Sequence, residues 1–167
     1  RHLVSNRDTE RAVLPVNDVV QELATLASTD ARHAEVEVAF ELETDGDSVS
    51  IDRVQVQQVL LNLLRNAIEA LEGLEGERRR ITLGTRRLAD EEIEIFVRDR
   101  GPGIPAETAE RMFDPFYTTK RTGTGLGLAI SRTIARAHRG TLGYRPNPQG
   151  GAEFFLRLPR MEQDSPT

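Results

Sequence analysis

The chain has no cysteine. That excludes a disulfide scaffold and any thiolate metal site, and it suits a reducing compartment. No apolar run comes near the roughly 18 residues that span a bilayer. The first fifteen residues, RHLVSNRDTERAVLP, are polar and charged, so no secretory signal pattern is visible. Because the chain opens on Arg1 and not on methionine, it reads as a piece of a longer parent, and a membrane anchor elsewhere in that parent stays open as an expectation. An excess of positive charge is also missing. Lys and Arg number 22 against 27 Asp and Glu, a net charge of −5, which argues against a general grip on nucleic acid. No internal repeat is present.

The 167 residues suit one domain with a sizeable core, and 38% hydrophobic with 29% charged residues is a soluble globular balance. Residues 1–15 read as a linker, residues 16–159 as the folded domain and residues 160–167 as a disordered tail. Asn17 is a candidate cap for a helix running to about Ala31. EVEVAFELE alternates, with Val36, Val38, Phe40 and Leu42 on one side, as a half-buried strand does. SVSI is a short strand, and Asp52 starts a long helix to about Leu71. RRITLGTRR and EEIEIFVRD are strands joined near Ala89–Asp90. A loop-rich stretch leads to Gly127, a helix follows to about Arg139, and GTLGYRP with GGAEFFLRLP forms a closing hairpin. Short turns between strands disfavour a purely parallel sheet. They favour a mixed α/β arrangement with helices on one face.

Three stretches carry chemistry. In VQVQQVLLNLLRNAIEAL, Val56, Val59, Leu60, Leu63, Leu64, Ala67 and Leu71 form the buried stripe of a helix. Gln55, Gln58, Asn62, Asn66 and Glu69 form a polar one. Asparagine is a mediocre helix former, and Asn62 and Asn66 lie one turn apart. Their amides either face solvent or meet a hard cation such as Mg²⁺, which prefers oxygen ligands and accompanies phosphates. In IEIFVRDRGPGIP, Ile93, Ile95, Val97 and Asp99 share a strand face, so a carboxylate ends an apolar row. It either caps a glycine-proline turn or accepts a hydrogen bond from an amino group such as adenine's, with Gly101 and Gly103 letting the backbone approach a flat ring. In DPFYTTKRTGTGLGLAI, Gly123, Gly125 and Gly127 precede a helix whose N-terminal N–H groups suit an anion, and Lys120 adds a mobile charge. The long connection between Gly103 and Gly123, with Phe113 and Phe116 as tethers to the core, has the character of a lid. Neither a Walker loop nor a dinucleotide fingerprint is present.

NLLRNAIEAL, DRGPGIP, FDPFYTTK and GTGLGLAI resemble, in order, the N, G1, F and G2 boxes of the histidine-kinase catalytic domain, a branch of the GHKL ATP-binding superfamily. The resemblance covers roughly residues 16 to 159. It implies the Bergerat fold, a two-layer sandwich in which about three helices cover one face of a mixed, largely antiparallel sheet of about five strands, with a mobile lid over ATP. Asn66 then resembles the Mg²⁺ ligand and Asn62 its companion near the phosphates. Asp99 resembles the reader of the adenine amine, with Gly101, Gly103 and Ile104 beside the base. Phe116 and Lys120 resemble lid residues, Lys120 touching phosphate and sharing the catalytic role with Asn62. Gly123, Thr124, Gly125, Leu126, Gly127 and Leu128 resemble the phosphate cradle. The expected cofactors are ATP and Mg²⁺. The expected partners are a histidine-bearing dimerisation domain of the same protein and a response regulator. The resemblance further implies a cytoplasmic domain, monomeric in isolation, from a homodimeric parent in which an inner-membrane anchor stays open.

The departures also speak. ATP-hydrolysing relatives place a glutamate one turn before the metal asparagine. Here that position is Asn62, which cannot act as a general base, so little hydrolysis is expected. Glu69 stands where many such kinases have Lys or Arg, leaving Arg65 or Lys120 to compensate. No H-[ED]-x-x-x-P motif occurs, and His2, His33 and His138 read as surface or structural residues. Two other readings stay open, a protein-serine kinase on the same fold and a nucleotide-binding module that only signals occupancy.

Overall fold

The computed structural model describes residues 10–43, 46–118 and 125–161. Among the described residues, seven strands are arranged as one sheet of five and one of two. The strands are β1 (Arg11–Pro15), β2 (Glu37–Leu42), β3 (Ser48–Asp52), β4 (Arg80–Arg87), β5 (Glu92–Asp99), β6 (Thr141–Pro146) and β7 (Ala152–Pro159). The helices are α1 (Val16–Leu26), α2 (Ser28–His33), α3 (Arg53–Ala70), α4 (Ala106–Arg111) and α5 (Gly127–Ala137). The large sheet has the order β2-β4-β5-β7-β6, parallel only between β2 and β4 and antiparallel elsewhere. The mixed sheet under a helical layer is therefore present as expected.

Alternation decides which side of each strand meets the helices. Ile81 and Leu83 of β4, Ile93, Ile95 and Val97 of β5, and Phe154, Leu156 and Leu158 of β7 point to one side. Register keeps them together, with Ile95 opposite Leu156 and Leu83 opposite Val97. Above them lies the apolar stripe of α3, with Val56, Val59, Leu60, Leu63 and Leu64 all buried, as their spacing requires. The core is thus a sandwich of one sheet face and the helices, and each fully buried leucine in it is worth about 2–5 kcal/mol against truncation to alanine.

The opposite sheet face is finished differently. Phe96 and Phe155 sit opposite each other on β5 and β7, each ring lying over a glycine of the outer neighbour, Gly84 and Gly143. Arg86 and Arg98 stack on Phe96, and Arg145 and Arg157 on Phe155. Glu94, fully buried, accepts from Arg86, Arg145 and Arg157. Burial disfavours its charge, but hydrogen bonds from Arg145, Arg86 and Arg157 outweigh this and hold its carboxyl below the ordinary carboxylate range. Pattern reading missed this layer, because cross-strand pairing and not sequence spacing builds it.

Three expectations about the ends change. Residues 11–15 are not linker but β1, antiparallel to β3. Arg160 and Met161 are not frayed tail; their N–H groups donate to the carbonyls of Glu91 and Ser48. Residues 162–167 lie outside the described residues. Asn17 does not cap α1, which begins one residue earlier behind the extended Pro15. The Val16 N–H donates to the Asp47 carbonyl, and Asn17 Oδ1 accepts from the Thr85 hydroxyl at 3.0 Å, fixing α1 on β4. The first helical segment also breaks at Ala27 into two helices. Asp52, by contrast, caps α3 as its position suggests, accepting the Gln55 N–H at 3.1 Å.

Candidate active site

Asp99 closes β5, and its side chain shares the helix-facing side with Val97 by strand alternation. It is 3% exposed. Its Oδ1 accepts from the Gly101 N–H at 2.8 Å and from the Ala152 N–H at 3.3 Å. Both bonds fall on one oxygen, so Oδ2 takes neither. Burial pushes the carboxyl up from its ordinary value, and these two N–H groups oppose the rise only in part. The turn after Asp99 lies against α3: a Cβ on Gly101 would stand 2.9 Å from the Ala70 carbonyl oxygen. The tight turn expected of Gly101 and Gly103 is therefore set by helix packing as well as by chain reversal.

Asn62 and Asn66 occupy the side of α3 away from the core leucines, both half-buried. The structure brings Asn62 to the start of α5. A Cβ on Gly127 would lie 2.8 Å from Asn62 Oδ1, and Asn62 Nδ2 donates to the Ser131 hydroxyl at 3.4 Å. The glycine at the helix start thus admits the asparagine amide as well as exposing its own N–H. Arg65 pairs with Asp30 at 3.6 Å across an exposed surface. Asn62, Arg65, Gly127 and Ser131 line part of a groove of about 560 Å³ between α1, α3 and α5.

The stretch expected as a lid begins with the short helix α4 where a loop is expected. Phe113 packs against the core as expected. Phe116 does not: it is 74% exposed, with a positive φ of 69°. Its tether is the main chain instead, the Phe116 N–H donating to the Gly125 carbonyl at 2.9 Å. Gly125 has φ 74°, and a Cβ there would stand 2.3 Å from the Phe116 carbonyl carbon, so only glycine closes this crossing. Leu126 caps α5 and Leu128 lies in its first turn, half-buried against the core. Lys120, Gly123 and Thr124 lie outside the described residues.

A second concavity, about 600 Å³, opens beside the Asp99 turn, lined by Gly103, Ile104, Tyr144, Pro146 and Gly151 among others. Asp99 and Asn66 line neither concavity; Gly101 packs on Ala70 at the end of α3, and Gly127 at the start of α5 packs on Asn62. Among the described residues no group of three His, Cys, Asp or Glu side chains could hold a metal. The candidate ligands Asn62 and Asn66 are neutral amides, a pair that fits Mg²⁺ arriving with a polyphosphate and not a metal held by protein alone. Sequence reading missed Ser131, Tyr144 and the β6–β7 turn, since nothing local marks them as neighbours of the motifs.

Residues 51–162 match the model of the family described as histidine kinase-, DNA gyrase B- and HSP90-like ATPases. The solved catalytic domain of the histidine kinase ThkA is 33% identical, with a TM-score of 0.78 over 90% of this chain and 96% of that one. The chain is a histidine-kinase-type member of this ATPase family. Sensor protein FixL of Bradyrhizobium diazoefficiens is 38% identical over 98% of the chain, and the histidine-protein kinase AtoS of Escherichia coli is 36% identical over 96%. The chain spans 32% and 26% of those two relatives. As a histidine-kinase ATPase domain, it carries the described residues of three motifs on or beside the elements above. Asn62 and Asn66 are on α3, Asp99 ends β5, and Gly127 opens α5.

Proposed function

We propose that this domain binds Mg·ATP and delivers the γ-phosphoryl group to a histidine on a separate dimerisation domain, from which a response-regulator aspartate receives it. The observation that carries this reading is the buried Asp99 carboxylate, held by two backbone N–H groups on one oxygen only, on the strand next to the helix that bears Asn62 and Asn66. In this reading Asp99 accepts the base's exocyclic amine. The amides of Asn66 and Asn62 lie toward the phosphates, Asn66 holding Mg²⁺ with the phosphate oxygens, and the metal neutralises phosphate charge when bound. Gly125, Leu126, Gly127 and Leu128 offer backbone N–H groups at the start of α5, where the helix dipole favours an anion. Gly101, Gly103 and Ile104 flank the base, and Phe116 and Lys120 belong to the lid, with Gly123 and Thr124 completing the cradle.

Related structures support the partners. One shows ThkA in complex with the response regulator TrrA and is 30% identical over 90% of this chain, and another holds full-length ShkA with AMPPNP. No described helix is long and apolar enough to cross a membrane. Chemistry on this domain is mostly positioning, which converts an encounter into an intramolecular step. The test supplies labelled ATP and a histidine-containing dimerisation domain. Label on histidine supports the proposal. Label on serine alone, or tight binding without transfer, overturns it in favour of a serine kinase or an occupancy sensor.

A further inference from the structure

Asp99 is gripped from behind by the turn between β6 and β7, which none of the four motifs contains. Asn147, 7% exposed, donates from Nδ2 to the Asp99 carbonyl at 3.1 Å. Its Oδ1 accepts the Gln149 N–H at 3.2 Å, and its own N–H donates to the Gly151 carbonyl at 3.0 Å. Gly151 has φ 106°, and a Cβ there would stand 2.2 Å from the Asp99 carbonyl oxygen. Ala152 supplies the N–H to Asp99 Oδ1. One hairpin turn therefore touches Asp99 at its carbonyl, at its carboxylate and by close backbone packing.

This support falls where the β7 side of the sheet provides none. The β5–β7 ladder ends with Arg98 opposite Glu153, one residue short of Asp99. Asp99 retains a ladder partner only on β4, Ile81. The Asn147 amide replaces the missing strand neighbour. We infer that Asn147 is a positioning residue for base recognition: by fixing the Asp99 main chain it aims the carboxylate at the exocyclic amine of a 6-aminopurine, and so contributes to nucleotide selectivity. This rests on the reading of Asp99 as the acceptor for the base. A base with an oxo group at the same position presents an acceptor to an acceptor, so discrimination depends on where that carboxylate points, and hydrogen bonds weaken steeply off line.

The test compares Mg·ATP with Mg·inosine triphosphate by titration calorimetry on the parent, Asn147→Ser and Asp99→Asn, with thermal midpoints measured alongside. Serine can still accept the Gln149 N–H but is too short to reach the Asp99 carbonyl. Asn147→Ser is expected to weaken ATP while leaving inosine triphosphate nearly unchanged, compressing the ratio of dissociation constants by about tenfold. Equal weakening of both nucleotides, the signature of a merely structural turn residue, overturns the inference, as does no change in either. If Asp99→Asn collapses the ratio and Asn147→Ser does not, only the Asn147 inference falls. If Asp99→Asn leaves the ratio intact, the reading of Asp99 falls and takes the inference with it. Should the serine variant not fold, Asn147→Thr also keeps an acceptor for the Gln149 N–H and is read in the same way.

Discussion

His138 Nε2 accepts the backbone N–H of Asp52 at 3.1 Å, tying the end of α5 to the first residue before α3. The other ring nitrogen, Nδ1, donates to the Ile134 carbonyl at 2.8 Å, so the imidazole is neutral with its proton on Nδ1. The two helices that carry the candidate phosphate and metal residues are thus joined at the ends remote from Gly127. Burial pushes the imidazole below its ordinary value near 6.5; Arg11, reaching over from β1, pushes the same way, while the Ile134 carbonyl and Asp52 oppose. Because the folded pKa is depressed, the unfolded chain takes up the proton first as pH falls. The contribution is therefore complete above about 6.5 and is lost progressively below it. Thermal midpoints measured from pH 8 to 5 should decline in that lower range for the parent. His138→Ala should be less stable by about 1–3 kcal/mol at neutral pH and should lose this part of the decline.

Asp99→Asn separates binding from stability. A raised carboxyl pKa means that the folded state prefers the neutral group, so the ionised form costs stability above its ordinary value of 3.8. Asparagine keeps an acceptor for the Gly101 and Ala152 N–H groups. The nucleotide-free variant should therefore melt about 3 °C higher at neutral pH, while calorimetry finds ATP bound no tighter than inosine triphosphate. A lower midpoint would show that the charge itself is a structural requirement.

Gly125 and Gly127 fail for different reasons when given a methyl group. At Gly127 the added carbon meets the end of the Asn62 side chain, which can swing away. Gly127→Ala should keep its fold and lose about tenfold in Mg·ATP affinity, the worth of one displaced polar contact. At Gly125 the added carbon meets the main chain of Phe116, and the residue also has a positive φ. Gly125→Ala should disrupt the crossing between the lid and α5. Faster proteolysis of residues 116–126 would register this, with Gly127→Ala cut at the parent's rate.

Glu94→Gln tests the charged layer on the open face of the sheet. Glutamine keeps one acceptor oxygen but removes the buried charge that Arg86, Arg145 and Arg157 share, while Glu153 still pairs with Arg86 and Arg145. The expected loss in urea unfolding is about 1–3 kcal/mol, the worth of charged hydrogen bonds weakened to neutral ones. Nucleotide affinity should be unchanged, because this face lies across the sheet from Asp99.

Much of this molecule follows from local pattern. The helical period of Val56 to Ala67 and the alternation of Ile93, Ile95, Val97 and Asp99 hold because burial repeats every 3.6 or two residues along one chain segment. The order of NLLRNAIEAL, DRGPGIP, FDPFYTTK and GTGLGLAI identifies the domain type for a related reason, each being a local backbone shape that needs its own glycines, prolines and amides. Local signals failed where a distant partner won. Asn17 left its capping role because Thr85 offered a better-placed hydroxyl donor, and Arg11–Pro15 became a strand because β3 had an edge to pair.

What only the tertiary structure decided is which residues stand beside the motifs. Phe116 is exposed because the chain crosses Gly125 through its backbone, leaving the ring no place in the core. Asn147 reaches Asp99 across 48 residues, and His138 reaches Asp52 across 86. A sequence states what each residue can donate, accept or bury; it does not state who will be opposite, because sheet order and helix packing are settled by the core as a whole.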